Sequence, residues 1–491
     1  MSKFINKLKQ TKPGFMAPQY EHIFYSLFFL GQNLLWGFAG NTLTFLSGTL
    51  GDVALASAVL IAPKIWDAIN DTLFGYIVDK VSFKNGREKF LPWIRIGVSG
   101  IGIFTIFMFA IPVGLSTIGK IIWFLAGYIL FDLLYTLLDA PAFALPTVLT
   151  SDNKERTTLL SGNKLWSMVG GTVASVGTMF LLDYIGWFWG AVIFCALGVI
   201  MMIPLIVCAK ERLNEKEANS KNKDSKNNKV QKEERYTLKQ MFKYLGKNKY
   251  LLITLISFFI FGMCSVETAL SVIIAQSVLG QTIYGTVVAA MVSVSVITVS
   301  AVIPRLIKKF DKFYIMVSGI LIGTLFSIIS YFVGYSSVIL AAVFMGLKCI
   351  SLATWQCIIY MLIADTTEYG RFKSGTKATG ITFALQTTVS KGKAALLQSF
   401  AGFGLALVGY DAARVASEIP QEEIVKNRMW AFYIFLPCVG YLLALGILVL
   451  FYKLRDKDVQ AMTRYNNNEI GYNECMEILG NKFGEPAIKH E

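Results

Sequence analysis

The feature that most limits what this chain can fold into is a series of long apolar stretches, which recurs along nearly its whole length. A helix needs about 20 consecutive apolar residues to cross the hydrocarbon core of a bilayer, and these stretches reach that length. Of the 491 residues, 54% are hydrophobic and 16% are charged, which is less charge than a soluble protein of this size carries. The sequence therefore predicts an all-α polytopic protein of the cell membrane.

The apolar stretches predict twelve transmembrane helices. Residues 210–249 separate the first six from the last six and contain 13 Lys or Arg against 6 Asp or Glu, so we expect a flexible cytoplasmic loop there. Two sets of six helices on either side of a charged loop are typical of the major facilitator fold, with two six-helix halves. The predicted spans are 21–49, 54–80, 92–114, 119–149, 161–183, 185–209, 250–277, 283–304, 313–334, 337–364, 378–409 and 429–453.

This layout divides the chain into four segments. They are an N-terminal half (1–209), a central loop (210–249), a C-terminal half (250–453) and a cytoplasmic tail (454–491). The tail is too short for a catalytic domain. An interaction tail and a partly ordered helix both remain open for it.

The charged residues lie mainly in the connections between spans. The connections after even-numbered spans, such as "DKVSFKNGREK" and "PRLIKKFDK", are basic, whereas those after odd-numbered spans, such as "SGTLGD" and "GYSS", carry few cations. The positive-inside rule then places both termini in the cytoplasm. The net charge of +14 is explained by this topology, so we expect no nucleic-acid partner.

Several classes of function lack the residues that they require. The seven cysteines show no C-x-x-C spacing and the chain has two histidines, which makes a zinc site or a disulfide framework improbable. No G-x-x-x-x-G-K-[ST] motif occurs, which argues against transport driven by ATP within this chain. We expect no cofactor apart from a co-transported ion, no enzymatic activity, and a monomer.

The stretch "WDAINDTLFG" places two acids inside span 2. Asp67 and Asp71 are four residues apart and share one face of the helix, with Asn70 between them and Lys64 one turn before. A charge at the bilayer centre costs about 2.5–3.5 kcal/mol, and two close anions also repel each other. A bound Na⁺ or proton would neutralise the pair at Asp67 and Asp71. The alternative is an ion pair with basic residues elsewhere in the bundle.

Span 4 contains a second polar cluster, "YTLLDAPAFALP". Asp139 lies in an apolar helix, Thr136 supplies a neutral oxygen, and Tyr135 and Phe143 supply aromatic surface. The two prolines of the stretch leave backbone carbonyls without their helical donors and can bend the helix around a cavity. This combination favours a polar pocket over a structural acid.

Four further polar residues lie within or near the spans. Gln32 and Asn33 in span 1 can bind a ligand, or they can hold helices together by hydrogen bonds. Lys164 is close enough to the end of span 5 to reach the interface. Lys391 lies near the middle of span 11, where a buried ammonium group requires a carboxylate or oxygen-rich partner. Together with the acids and aromatics, these groups suit a sugar, whose hydroxyls hydrogen-bond to planar side chains.

The stretches "IAPKIWDAINDTLFGYIVDK", "YTLLDAPAFALP" and "ADTTEYGRFKSGTKATGITFALQTTVSKGKAAL" resemble the glycoside–pentoside–hexuronide cation symporters, the family of melibiose permease. The resemblance covers all twelve spans and implies uptake of a sugar with sodium, lithium or a proton by alternating access. By this match, the cation site is Asp67, Asn70, Asp71 and Thr136. The sugar pocket contains Asp139, Phe143 and Lys164, and Lys391 lies beside the cation site.

The chain departs from the melibiose pattern at Asn33, where that pattern has a second sugar-binding aspartate. Carriers for glucuronides and xylosides have asparagine there, so an anionic or pentose glycoside is favoured over an α-galactoside. Trp355 in span 10 is a candidate to stack on the sugar from the other half. Asp79 and basic neighbours such as Arg87 resemble the cytoplasmic gate of facilitators.

Three other functions compete with sugar symport. A lysolipid or drug carrier could use the same fold. A polytopic membrane enzyme would need a catalytic group at an interface, where only scattered loop acids are present. A sensor that signals through its tail is the third alternative.

Overall fold

A computed structural model describes most of the chain. The described residues are 11, 15–67, 70, 88–150, 153–212, 245–246, 248–375, 379–417, 419–480 and 482–487.

The described part is built from α-helices, as predicted. In chain order they are α1 (Gln19–Ala39), α2 (Thr42–Leu50), α3 (Val53–Val59), α4 (Leu91–Phe109), α5 (Thr117–Ala144), α6 (Pro146–Leu149), α7 (Asn153–Cys208), α8 (Lys249–Cys264), α9 (Glu267–Ser277), α10 (Thr282–Leu306), α11 (Lys312–Val333), α12 (Val338–Lys348), α13 (Ile350–Ser374), α14 (Thr379–Val408), α15 (Ala412–Ala416), α16 (Glu423–Phe451), α17 (Asp456–Asn466) and α18 (Tyr472–Leu479).

Eight helical stretches of the described residues are long and apolar enough to cross a membrane. The multi-pass prediction is therefore confirmed. The count of twelve spans and the boundaries of the four segments stay predictions, because parts of span 2 and of the central loop lie outside the described residues.

The longest helix, α7, contains predicted spans 5 and 6 and is interrupted between them. Gly186 has φ 68° and ψ −179°, a conformation that glycine adopts without the clash that a Cβ atom would introduce. A straight helix from Thr158 to Cys208 would be about 75 Å long at 1.5 Å per residue, far more than the thickness of a bilayer. The interruption allows this stretch to form two spans.

Predicted span 1 is also interrupted, which the sequence analysis does not anticipate. Helix α1 ends at Ala39 and α2 begins at Thr42. The side-chain amide of Asn41 donates hydrogen bonds to the carbonyls of Gly37 and Phe38, each at 3.1 Å. The backbone N–H of Asn41 also donates to the carbonyl of Phe38 at 3.1 Å. Local hydrogen bonds of this kind compete with those that would continue the helix.

The contacts divide the chain into two compact units. Unit 1 consists of Met1–Val230 with Gly280–Thr286 and Asp411–Pro420, and unit 2 consists of Gln231–Leu279, Val287–Tyr410 and Gln421–Glu491.

In unit 1, α1 packs along α7 and α4 packs along α5. Two residues that follow α7, Glu211 and Arg212, contact the N-terminal ends of α4 and α1. Glu211 accepts hydrogen bonds from the backbone N–H groups of residues 89–91, each at 2.7 Å, and so satisfies the N-terminus of α4. Arg212 pairs with the fully buried Glu21 of α1 through two bonds of 2.7 Å.

In unit 2, α8 packs against α16, α14 and α13, and α11 packs against α13, α12 and α16. The described part of the tail contains two helices, α17 and α18. Helix α17 packs on α13, and Met462, Tyr465 and Leu479 are buried in the same hydrophobic core as the membrane helices. The tail is therefore an integral part of unit 2.

Candidate functional site

Helix α5 organises the candidate site because it carries two pairs of polar side chains on adjacent faces. Asp132 and Thr136 are four residues apart, and so are Tyr135 and Asp139. Side chains at this spacing lie one above the other on a helix. The two pairs are offset by three residues, so one helix presents a polar surface to two different neighbours.

The first pair faces Asn70 of predicted span 2. The Asn70 amide nitrogen donates hydrogen bonds to the carboxylate of Asp132 at 2.7 Å and to the hydroxyl of Thr136 at 2.9 Å. Asn70 is 1% exposed, and its Oδ1 atom is buried with no hydrogen-bond donor among the described residues. An amide oxygen in this state is available to a cation or to a water molecule.

Asp67 lies one turn before Asn70. Its Oδ2 atom accepts a hydrogen bond from Lys64 Nζ at 3.2 Å, and the same ammonium group donates to the hydroxyl of Tyr128 at 2.8 Å. One oxygen of Asp67 thus has an ion-pair partner, but this partner belongs to the same predicted span and not to another part of the bundle. The other oxygen, Oδ1, is buried and has no donor within the described part of the chain. Asp67 and Asn70 therefore each have one buried oxygen atom without a donor among the described residues.

The second pair of α5 faces α1. The amide nitrogen of Gln32, which is 1% exposed, donates a hydrogen bond to Asp139 Oδ1, and Gln32 Oε1 is buried without a donor among the described residues. One turn further along each helix, the rings of Trp36 and Tyr135 lie 4.6 Å apart at 36°. Trp36 is partly exposed. A carboxylate, an amide and an aromatic surface side by side are the groups that bind sugar hydroxyls and the apolar face of a sugar ring.

The remaining predicted residues fall into two groups. In unit 1, Asn33 donates to the carbonyl of Phe29 in its own helix at 2.9 Å, and Phe143 is half exposed with its ring 5.0 Å from that of Phe29. In unit 2, Lys391 is exposed on α14, while Trp355 is 1% exposed and stacks on a phenylalanine of the core.

Some predicted residues lie outside the described part of the chain. Asp71, Asp79 and Arg87 are among them, and Lys164 belongs to α7 but its side chain is not described. The roles predicted for these residues stay predictions.

Two residues of the site, Asp132 and Trp36, are not among those predicted from the sequence. Asp132 stands seven residues before Asp139 in "FDLLYTLLDA", which places both on one stripe of the helix. Trp36 follows Gln32 by four residues in α1. Both residues have a helical spacing to a predicted site residue. The sequence alone does not show which face of each helix packs against a neighbouring helix.

Comparisons with known proteins give matches along most of the chain. Residues 23–456 match the family described as MFS/sugar transport protein. The chain is similar to the isoprimeverose transporter of Lactiplantibacillus pentosus, with 23% identity over 89% of each chain. It is also similar to the glucuronide carrier protein homolog of Escherichia coli K12, with 24% identity over 82% of this chain and 85% of the other.

Solved structures show the same fold. The D-xylose-proton symporter has a TM-score of 0.59 at 14% identity and covers 87% of this chain and 96% of its own. The nucleoside transporter NupG has a TM-score of 0.60 at 15% identity and covers 88% and 99%. The major facilitator fold and the resemblance drawn from the sequence motifs are confirmed, as is the prediction of a carrier and not an enzyme. The chain is a member of the MFS/sugar transport protein family, and it is a multi-pass membrane transporter.

Proposed function

We propose that this transporter takes up a glycoside, an oligosaccharide or a hexuronide together with Na⁺ or a proton, by alternating access. Both termini then face the cytoplasm of the cell whose membrane holds the protein. The observation that carries the proposal is the double use of α5, which presents one polar pair to span 2 and the other to α1.

The side of α5 that faces span 2 suits a small cation. Asn70 bridges Asp132 and Thr136, and both Asn70 and Asp67 keep a buried oxygen without a donor in the described region. Carboxylate, amide and hydroxyl oxygens are the ligands that hard cations prefer. Asp71, one residue after Asn70, would complete the cation-binding set of Asp67, Asn70, Asp71 and Thr136.

The side of α5 that faces α1 suits a sugar. Asp139 and Gln32 are joined by a hydrogen bond. Hydroxyl groups of a sugar can form hydrogen bonds with the remaining donor and acceptor positions of both side chains. Trp36 and Tyr135 form the aromatic surface next to them. Two relatives, by their names, carry isoprimeverose and glucuronide, which supports a pentose-containing or anionic glycoside over an α-galactoside.

A shared helix explains how the two solutes would be coupled. A cation neutralises the acids of span 2 and binds the oxygen atoms around it, including the hydroxyl of Thr136. Because Thr136 belongs to α5, this contact also fixes the rotation of α5 about its own axis. The same rotation sets the direction of Tyr135 and Asp139. Binding of one solute therefore stabilises the site for the other, and thermodynamics requires that the effect be mutual.

The test is uptake of labelled glycosides into proteoliposomes under an imposed Na⁺ gradient or an imposed pH gradient. Two variants separate the two sides of α5. We expect Asp67→Asn to abolish gradient-driven accumulation of the sugar while exchange of the sugar stays measurable. Asp67→Cys should have the same effect. We expect Asp139→Asn to weaken sugar affinity by about tenfold to a hundredfold, the effect of losing one charged hydrogen bond.

Glu423→Gln is a suitable control because Glu423 is an exposed acid on α16. Its uptake should match that of the unmodified carrier. Accumulation that persists unchanged in Asp67→Asn would show that the cation site is elsewhere. Uptake of a labelled lysolipid in place of every glycoside would show that the cargo is a lipid.

A further inference from the structure

A buried ion pair lies in unit 2, away from the site described above. Lys348 and Glu267 are 1% and 7% exposed, and Lys348 Nζ lies 3.4 Å from Glu267 Oε1. Both residues belong to helical stretches that are long and apolar enough to span a membrane. Charges in such stretches are costly, and those that persist serve a function more often than not.

Each partner of the pair lies where a helix is interrupted. Helix α8 ends at Cys264 and α9 begins with Glu267, while α12 ends with Lys348 and α13 begins at Ile350. The positive end of the dipole of α9 thus lies at an acid, and the negative end of the dipole of α12 lies at a lysine. The helix ends stabilise both charges, and the ion pair joins the two interruptions.

A third helix, α16, contributes to the same cluster and is itself irregular there. Pro437 has no N–H group, so the carbonyl of Tyr433 loses its helical donor. Lys348 Nζ donates to this carbonyl at 3.1 Å. From the next turns of α16, the hydroxyl of Tyr441 donates to Glu267 Oε1 at 2.9 Å. The ion pair therefore connects irregular points of three helices.

The cluster continues into the core of unit 2. The ring of Phe261 lies between those of Tyr441 and Trp355, with centroid separations of 3.9 Å and 4.1 Å and nearly parallel planes. The Tyr441 hydroxyl that binds Glu267 therefore helps to fix this stack. Glu267 Oε2 is buried and has no donor among the described residues, so the pair depends on a small number of contacts.

We propose that Glu267 and Lys348 are positioning residues that act as one clamp. The clamp holds the interrupted stretches α8–α9 and α12–α13 against α16, so that unit 2 moves as a rigid body during transport. Neither charge binds the cargo. This inference goes beyond the proposed function and concerns the turnover of the carrier, whichever solute it moves.

The test compares Glu267→Gln, Lys348→Gln and the double variant. Each single change leaves one buried charge without its partner, whereas the double variant removes both charges and keeps an acceptor for Tyr441 and a donor for Tyr433. We expect each single change to lower the melting temperature by at least about 5 °C, and the double variant to regain most of that loss.

A local readout separates positioning from general loss of structure. Cys264 is the last residue of α8 before the interruption. A Cβ atom added at Gly440 would clash with the side chain of Cys264, so the two helices are in close contact there. We expect maleimide labelling of Cys264, followed by peptide mass spectrometry, to be about tenfold faster in each single variant and to return toward the original rate in the double variant. Uniformly faster labelling of all seven cysteines would overturn the proposal.

Transport supplies the last measurement. With the labelled glycoside that the carrier takes up, turnover per folded molecule should fall about tenfold in the single variants, while the dissociation constant of the glycoside stays within about twofold. A double variant as impaired as the two single changes combined would show that the charges act separately and would overturn the clamp. Unchanged turnover in the single variants would do the same.

Glu423→Gln with Lys426→Gln is the matched control, because this ion pair has the same chemistry but is exposed on α16. It should leave melting, labelling and turnover unchanged. If no glycoside is carried by the unmodified protein, the proposed function fails, and the melting and Cys264 results still decide whether the clamp exists.

Discussion

At the scale of single residues, two carbonyls that lose their helical donor to a proline accept a hydrogen bond from a side chain of another helix. The carbonyl of Ala142 precedes a proline by four residues and accepts a hydrogen bond from the hydroxyl of Tyr25 at 3.2 Å. The carbonyl of Tyr433 also precedes a proline by four residues and accepts one from Lys348. A bilayer offers no water to such groups, so the bundle must supply the donors. These two prolines thus each create a contact between two helices.

Glu155, at the start of α7 and outside the predicted spans, is also a buried polar group whose hydrogen-bond partners come from a distant part of the chain. Its carboxylate is fully buried and accepts hydrogen bonds from the backbone N–H groups of Met16 and Ala17 at 2.8 Å and 3.0 Å, and it lies 2.8 Å from His22 Nε2. Burial acts to raise the pKa of this carboxyl group, but the hydrogen bonds outweigh burial and hold the pKa below its ordinary value of 4.5. The ionised form is therefore favoured by folding.

We predict that Glu155→Gln lowers the melting temperature at neutral pH and that the difference from the unmodified protein narrows in acid. A depressed pKa means that the carboxylate stabilises the folded chain above pH 4.5, and that this contribution is lost as the pH falls through the lower, folded-state pKa. Melting curves in detergent from pH 7 to pH 3 measure the effect. Glu474→Gln, which alters an exposed acid, should show no such trend. A gap that stays constant to pH 3 would contradict the assignment.

At the scale of helices, α11 approaches the junction of α12 and α13 closely because two glycines four residues apart leave room there. A Cβ atom at Gly319 would lie 2.5 Å from Thr354 Oγ1, and one at Gly323 would lie 2.7 Å from the carbonyl of Lys348. The hydroxyl of Ser351 donates to the carbonyl of Ile320 at 3.2 Å across the same contact. Small residues at this spacing are a common means of helix association in membranes.

We predict that Gly323→Ala destabilises the protein by about 1–3 kcal/mol, the usual result of overpacking a tight contact. The added methyl group would press on backbone, which cannot turn aside as a flexible side chain can. Gly446→Ala on α16 is the matched control, since a Cβ atom there meets nothing within 4 Å. That change should be neutral or should stabilise its helix by up to about 1 kcal/mol. Equal effects of the two substitutions in thermal melting would rule out the close contact as the cause.

Helices that cross the membrane were predictable from sequence because each carries its own signal, a long apolar run. Interruptions within these helices were not predictable from the sequence. The amide of Asn41 ends α1 through local hydrogen bonds that many asparagines do not make, and Glu267 and Lys348 lie at helix ends that are far apart in the chain. Apolar length does not show such features, since an interrupted span and a continuous one have the same hydropathy.

The candidate site was predictable to a similar degree. Acids such as Asp67 and Asp139 stand out because a charge in an apolar helix is rare. Their partners do not, because the bond from Gln32 to Asp139 joins residues 107 positions apart and depends on how α1 packs on α5. Asp132 could have been found by its spacing, whereas Trp36 looked like any aromatic residue of an apolar helix. Sequence reveals groups that are costly to bury, and tertiary packing decides what compensates them.

At the scale of the whole molecule, the distribution of charge predicts orientation. The central loop, residues 210–249, contains 13 Lys or Arg, and the other connections after even-numbered spans are basic too. Cations resist translocation, so these loops should stay in the cytoplasm. The predicted orientation decides which helix ends face the cytoplasm, where the proposed function releases the cargo.

We predict that an epitope tag inserted near residue 222, in the central loop, is protected from protease in intact cells or spheroplasts, and so is a tag at either terminus. A tag inserted near residue 336, in the short "GYSS" connection after span 9, should be cleaved. The reason is the excess of Lys and Arg on one side of the membrane, and lysis of the cells, which exposes every tag, serves as the control. If the tag near residue 336 is protected while that near residue 222 is cleaved, the orientation is inverted. Because the solute gradients set the direction of symport in either orientation, this experiment tests the topology independently of the uptake measurements.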